Sequence, residues 1–129
     1  MALGAGARLA LFAQDRDHPR AADIYERVQD VQPGIAFATR GPGATNAAIG
    51  VHTAMQDSTP MILFIGQVGS GDSDREAFQE IDYRRFFSPV AKWAAQIDRA
   101  DRVPEFVQRA YAVAMAGRPG PVVLALPED

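Results

Sequence analysis

From residue 33 onward the apolar positions fall into short continuous runs and longer periodic stretches, and these divide the chain into elements. Ile35 to Thr39, "IAFAT", is apolar and bounded by Pro33-Gly34 and Gly41-Pro42, which predicts a buried strand. In Ala44 to Met55 the residues Ala47, Val51, Ala54 and Met55 recur at helical spacing with Ala48 beside them. This predicts a helix starting near Gly43, with Thr45 or Asn46 in its first turn. Pro60 to Val68, "PMILFIGQV", is almost uninterrupted in its apolarity, the mark of a strand covered on both faces of a parallel sheet. Gly69 to Ser73 reads as a loop, and Asp74 to Phe87, which mixes acids, arginines and aromatics, as short helical turns. Val90 to Ile97 reads as a strand. In Asp101 to Met115 the residues Val103, Phe106, Val107, Ala110, Val113 and Ala114 form one stripe, so a helix is predicted, with Asp101 as its N-cap and Gly117 as its stop. After the turn "GRPGP", Val122 to Leu126 is the last strand.

The order β-α-β-loop-β-α-β predicts an α/β domain whose mostly parallel sheet is flanked by helices. Residues 1–33 fit this less well. Arg8 to Ala13 is expected as a strand and Ala21 to Gln29 as a helix, on the partial spacing of Ala22, Ile24, Tyr25 and Val28. The expected organisation is therefore an atypical segment over 1–33 and a layered domain over 34–129.

Composition narrows the classes. A chain of 129 residues with 47% apolar content suits one domain with a core of its own. No apolar run approaches the roughly eighteen residues of a membrane span. In Met1 to Gln14 the charge of Arg8 interrupts the apolar residues, which is not the order of a signal peptide. A soluble cytoplasmic protein with no membrane partner is expected. The chain has no cysteine, which excludes disulfides, thiolate metal sites and a cysteine nucleophile. The net charge of −3 and the lack of a basic cluster with interleaved aromatics point away from nucleic acid; Arg84-Arg85 is the sole basic pair.

The candidate chemistry centres on "TRGPGATN", Thr39 to Asn46. This turn lies beyond the carboxyl end of a strand, where open α/β sheets bind ligands, and it opens a helix whose first N–H groups suit an anion. It lacks the Gly-Lys-Ser/Thr of a phosphate loop and the third glycine of a dinucleotide fingerprint. A tight structural turn, a phosphate site and another cofactor site all remain open on the residues alone.

The segments "TRGPGATN", "HTAMQDSTPMILFIGQV", "DREAFQEIDYRR", "AKW" and "GRPGPVVLALPED" together resemble, in order and spacing, the N-terminal pyrimidine-binding domain of thiamine diphosphate enzymes of the acetolactate synthase type. This resemblance runs from Ile35 to Asp129. It implies that the turn packs against the aminopyrimidine ring of the cofactor, with Gly41, Pro42, Gly43 and Asn46 beside it. The diphosphate and its Mg²⁺ belong, by the same resemblance, to a different domain, so no metal ligand is expected here. A flat ring needs close backbone approach, which glycine permits, and directed polar groups such as the Asn46 amide. The resemblance further implies that Phe78 and Gln79 line a substrate channel. Gln67, after the second strand, either faces the site or bonds the loop backbone.

Such enzymes use a glutamate that hydrogen-bonds the pyrimidine and so promotes loss of the thiazolium C2 proton. The motif that carries it resembles His-Glu-Gly-Gly-Ala-Ala, about twenty residues before the turn. Here "DHPRAADIYERV" occupies that region: His18 precedes Pro19, and Glu26 stands too close to the strand. No catalytic residue is assigned, the first unit of the domain reads as lost or altered, and the chain reads as a non-catalytic fragment of a carboligase or decarboxylase. Glu128 stands after Pro127 where acetolactate synthases tend to have lysine, which leaves other reactions of the superfamily open. The resemblance also implies a homodimer, or pairing with a full-length paralogue, through the helix over 44–55. An assembly module and an unrelated phosphate-binding domain are the alternatives.

Other polar residues have simpler readings. Lys92 beside Trp93 reads as a surface lysine whose stem lies on apolar surface, and His52 as a polar residue of the helix. Asp72, Asp74, Glu76 and Glu80 lack the spacing of a calcium loop and read as a solvated loop.

Overall fold

The computed structural model of the chain describes residues 32–129. The expected strand over 8–13 and helix over 21–29 lie outside the described residues. Among the described residues four strands and three α-helices follow in the order β1 (Gly34–Ala38), α1 (Pro42–Gln56), β2 (Met61–Gln67), α2 (Tyr83–Phe87), β3 (Trp93–Gln96), α3 (Val103–Met115) and β4 (Pro121–Pro127). Single 3₁₀ turns at Ser70–Asp72 and Ala100–Arg102 join them. All three ladders are parallel and the strand order is β1-β2-β4-β3. The central ladder aligns Met61 with Pro121 and Gln67 with Pro127.

The two-residue period of β2 splits its side chains between two core layers. Met61, Leu63 and Ile65 join Ala36, Ala38, Val123 and Ala125 beneath Ala44, Ala47, Val51 and Ala54 of α1 and Tyr83 and Phe87 of α2. On the other face Ile62, Val122 and Leu124 pack with Ile97 against Ala110 and Ala114 of α3. Helices thus cover both faces, which is why β2 and β4 are apolar at nearly every position rather than at alternate ones. The buried face of α1 consists of small residues, Ala44, Ala47, Gly50 and Ala54 with Val51, so its backbone lies close over the strands. Each fully buried Ile, Leu or Val contributes about 1.5–3 kcal/mol relative to exposure.

The starts of α3 and β3 differ from the sequence reading by two or three residues, while the start of α1 agrees with the expected position near Gly43. Asp101 is not the N-cap of α3: it sits in the 3₁₀ turn, its carboxylate takes the Arg99 guanidinium at 3.0 and 2.6 Å, and Arg102 holds the cap position. The helix instead starts with Val103-Pro104, since proline needs no N–H partner in a first turn. β3 does not begin at Val90, because the N–H groups of Val90 and Ala91 bond back to Phe87 O at 3.0 and 2.9 Å and finish the turn of α2. α1 begins at Pro42 for the same reason as α3. Gly117, at φ +58°, follows the α3 cap residue Ala116 as expected of a stop.

Because the strands are parallel, the segments leaving β1, β2, β3 and β4 gather at one end of the sheet. There the Arg40 guanidinium, after β1, donates to the Glu128 carboxylate, after β4, at 2.8 Å. The Asp129 carboxylate accepts from the Ser70 N–H at 2.9 Å and the Ser70 hydroxyl at 3.1 Å. These donors hold the Asp129 carboxyl below the usual carboxylate range, the N–H first.

Candidate functional site

The candidate site lies at that carboxyl end, around the turn from β1 to α1. Gly41 is buried, with φ +63° and ψ −118°, a conformation that side chains with a Cβ disfavour. A second constraint excludes a side chain there: a Cβ on Gly41 would lie 2.7 Å from Gln79 Cβ. The Gly41 N–H donates to the Tyr83 hydroxyl oxygen at 2.8 Å, and its carbonyl accepts from the Thr45 N–H at 3.0 Å. Pro42, Thr45 and Asn46 are exposed on the outer side of the first helical turn, Gly43 is half-buried, and Ala44 is buried.

Gln79 therefore meets the turn, through contact with Gly41, a contact the sequence reading did not anticipate. It arrives on a segment of unusual backbone, in which Asp74, Glu76 and Gln79 have φ of +63°, +54° and +65°. Left-handed positions at residues with side chains persist where the surroundings over-determine them, and three ties do so here. The Glu80 carboxylate accepts from the N–H groups of Asp74 at 2.7 Å and Ala77 at 3.1 Å, and these bonds, Asp74 first, hold its carboxyl below the usual range. The Gln67 amide donates to Ile81 O at 2.8 Å and its carbonyl accepts the Val68 N–H at 3.0 Å. Tyr83 closes the segment onto Gly41.

Of the two readings of Gln67, the structure realises the bond to loop backbone; the side chain is only 4% exposed. It also borders a cleft of about 1030 Å³, lined among others by Ala77, Glu80, Ile81, Arg85 and Gln96 but by no residue of the Gly-Pro turn. The cleft and the turn thus flank the 74–82 segment separately. Phe78, on that segment, is 79% exposed.

The remaining polar candidates lie apart. His52 is exposed on α1. Lys92 is more specifically employed than a surface lysine: its ammonium donates to the carbonyls of Val113 and, at 2.6 Å, of Ala116, neutralising the end of α3. Among the described residues no three His, Cys, Asp or Glu side chains converge on a metal-holding position, and no helix is long and apolar enough to cross a membrane.

Tyr83 is the residue that sequence reasoning missed. It is 2% exposed, and burial pushes its phenol up from the ordinary value, with the Gly41 N–H and the Arg40 charge pulling it back. Its partner lies 42 positions away in sequence, beyond any periodicity. The available signal was its place between Asp82 and Arg84: an apolar ring in a charged stretch points inward.

This geometry can be set beside known proteins. The family model described as thiamine pyrophosphate enzyme, N-terminal TPP binding domain, matches residues 4–86, from upstream of the turn to beyond Tyr83. The chain belongs to this family. The match begins well before Ile35, so the likeness of this thiamine pyrophosphate-enzyme domain to its family extends into the first thirty-three residues. A protein of Methanococcus aeolicus named probable acetolactate synthase large subunit is 44% identical over 109 residues, covering 84% of this chain and 18% of the relative. The acetolactate synthase large subunit of Buchnera aphidicola subsp. Schizaphis graminum is 43% identical over 124 residues, 96% of this chain and 22% of the relative. The mitochondrial acetolactate synthase catalytic subunit of Aspergillus candidus is 39% identical over 108 residues, 84% of this chain and 15% of the relative. The domain thus spans about a fifth of the length of these relatives.

Proposed function

We propose that this domain supplies the pyrimidine-side wall of a thiamine diphosphate site in an acetolactate synthase-like carboligase or decarboxylase. The turn at Gly41, Pro42 and Gly43 packs against the ring, and the exposed Asn46 amide offers it a donor and an acceptor. The observation that carries this reading is the state of the α1 N-terminus. The Gly41 N–H is engaged by Tyr83, Pro42 has none, and the adjacent Arg40 guanidinium is paired with Glu128. Among the described residues, a turn with so few free donors and no unpaired cation beside it suits a neutral ring and is poorly equipped for a phosphate. The diphosphate and its Mg²⁺ are, on this reading, held by groups outside the described residues. Bound, the cofactor supplies carbanion stabilisation at a carbonyl carbon; Gln79 and Phe78 border the space that the reacting carbonyl compound enters, and Gln67 holds their segment. No catalytic acid is assigned within the described residues. The protein acts in the cytoplasm on this reading.

Calorimetric titration of the chain with thiamine diphosphate and Mg²⁺ tests it, with ATP as control. Very weak heats with thiamine diphosphate and none with ATP are expected. Sub-micromolar affinity would contradict an incomplete site, and ATP binding would favour a phosphate domain.

One observation favours an assembly role beside this: Ile49 is 58% exposed on the outer face of α1, between Asn46 and His52, both exposed. A homodimer or a complex with a full-length paralogue through α1 would cover it. Sedimentation velocity of wild type and Ile49→Asp checks this; identical monomeric behaviour of both, alone and with a full-length relative, would contradict it.

A further inference from the structure

Two contacts tie Gly41 of the Gly-Pro turn to the 79–83 stretch. Gln79 Cβ occupies the place where a Gly41 side chain would stand, and the Tyr83 hydroxyl takes the Gly41 N–H at 2.8 Å in a buried bond. Tyr83 is the first residue of α2, whose start is fixed by the Asp82 carboxylate accepting the Arg85 N–H at 3.2 Å. Its ring packs in the same core layer as Ala44 and Ala47 of α1, beside Phe87 at a centroid distance of 6.4 Å.

The α1 cap position thus has no side-chain cap. Its N–H partner comes from another element, and loss of that partner would leave a buried donor unmatched. We propose that Tyr83 is a positioning residue for the pyrimidine site: its hydroxyl fixes the Gly41 peptide, and through α2 it sets Gln79 and the Gly-Pro turn as one rigid wall. This rests on the reading of the turn given above. Tyr83 touches no reacting atom on this account; it acts through Gly41. The phenol has a second effect. By occupying the Gly41 N–H it removes an anion-binding donor from the helix N-terminus, and so biases the turn toward a neutral ring.

The test uses ¹⁵N-labelled full chain titrated with thiamine, followed by amide shifts, in wild type, Tyr83→Phe and Phe87→Leu. The last variant loosens the same core layer without touching Gly41, and so serves as a control for lost stability. For Tyr83→Phe the expected result is at least a tenfold weaker thiamine response, with faster hydrogen exchange at the Gly41 amide. Phe87→Leu, compared at matched stability by adjusting temperature, should keep the wild-type response. Equal thiamine affinity in wild type and Tyr83→Phe, or an equal loss in Phe87→Leu, overturns the positioning role while leaving the site reading intact. Absence of any response in wild type overturns the site reading and this proposal with it. If Tyr83→Phe does not fold, Tyr83→Trp, which fills the layer but cannot accept the Gly41 N–H, takes its place under the same criteria.

Discussion

At the scale of single residues, Gly41 bears the most constraint. Its positive φ and its approach to Gln79 each exclude a side chain, and they act independently, one through local sterics and one through packing. Gly41→Ala should therefore destabilise the domain by about 2 kcal/mol or more, read as a lowered urea midpoint with an unchanged slope. A midpoint within error of wild type would show that the 79–83 stretch gives way easily and does not clamp the turn. This residue was legible in the sequence as a turn glycine, since Gly-Pro after a strand marks a change of direction. What it touches was not legible. The contacts to Gln79 and Tyr83 cross some forty positions, and neither periodicity nor turn chemistry carries information at that distance.

At the scale of elements, the 74–82 segment illustrates how a stretch without period can still be rigid. Its order comes from side-chain bonds to backbone, which leave no repeating apolar pattern to read. The strands and the helices over 42–56 and 103–115 were legible because continuous apolar runs and a 3.6-residue stripe are themselves the cause of burial. Their ends were less so: Pro104 displaced the cap from Asp101, and the α2 turn took Val90 and Ala91 from the third strand. Glu80 offers a test of the segment. Its carboxyl is lowered from the ordinary value of 4.5 by the Asp74 and Ala77 N–H groups. A lowered folded value means that its contribution to stability is present above the ordinary value. That contribution is lost as pH falls through the folded value. Stability of wild type should thus decline on acidification through this window, measured as urea midpoint against pH, and Glu80→Gln should remove that part of the decline. A wild-type profile that Glu80→Gln reproduces in full would contradict the role given to these two bonds.

At the scale of the molecule, the parallel sheet with helices on both faces matches the class that the alternation of elements predicts, whereas the strand order β1-β2-β4-β3 was not readable from it. Order depends on which strand returns between its neighbours. Here β4 enters between β2 and β3, and in that arrangement Glu128 meets Arg40 and Asp129 meets Ser70 across the strand ends. The same arrangement gathers the turn, Gln67 and the 74–82 segment at one end of the sheet, and the match to the thiamine pyrophosphate enzyme family covers the turn and this segment. The central claim is that the N-terminus of α1 receives a neutral pyrimidine ring and no phosphate. The most direct measurement is a map of amide shifts across the labelled chain with thiamine, which carries the ring without phosphate, and separately with inorganic pyrophosphate. The account predicts shifts at Gly43, Ala44 and Asn46 with thiamine and none there with pyrophosphate; shifts at these amides with pyrophosphate, and none with thiamine, would contradict it.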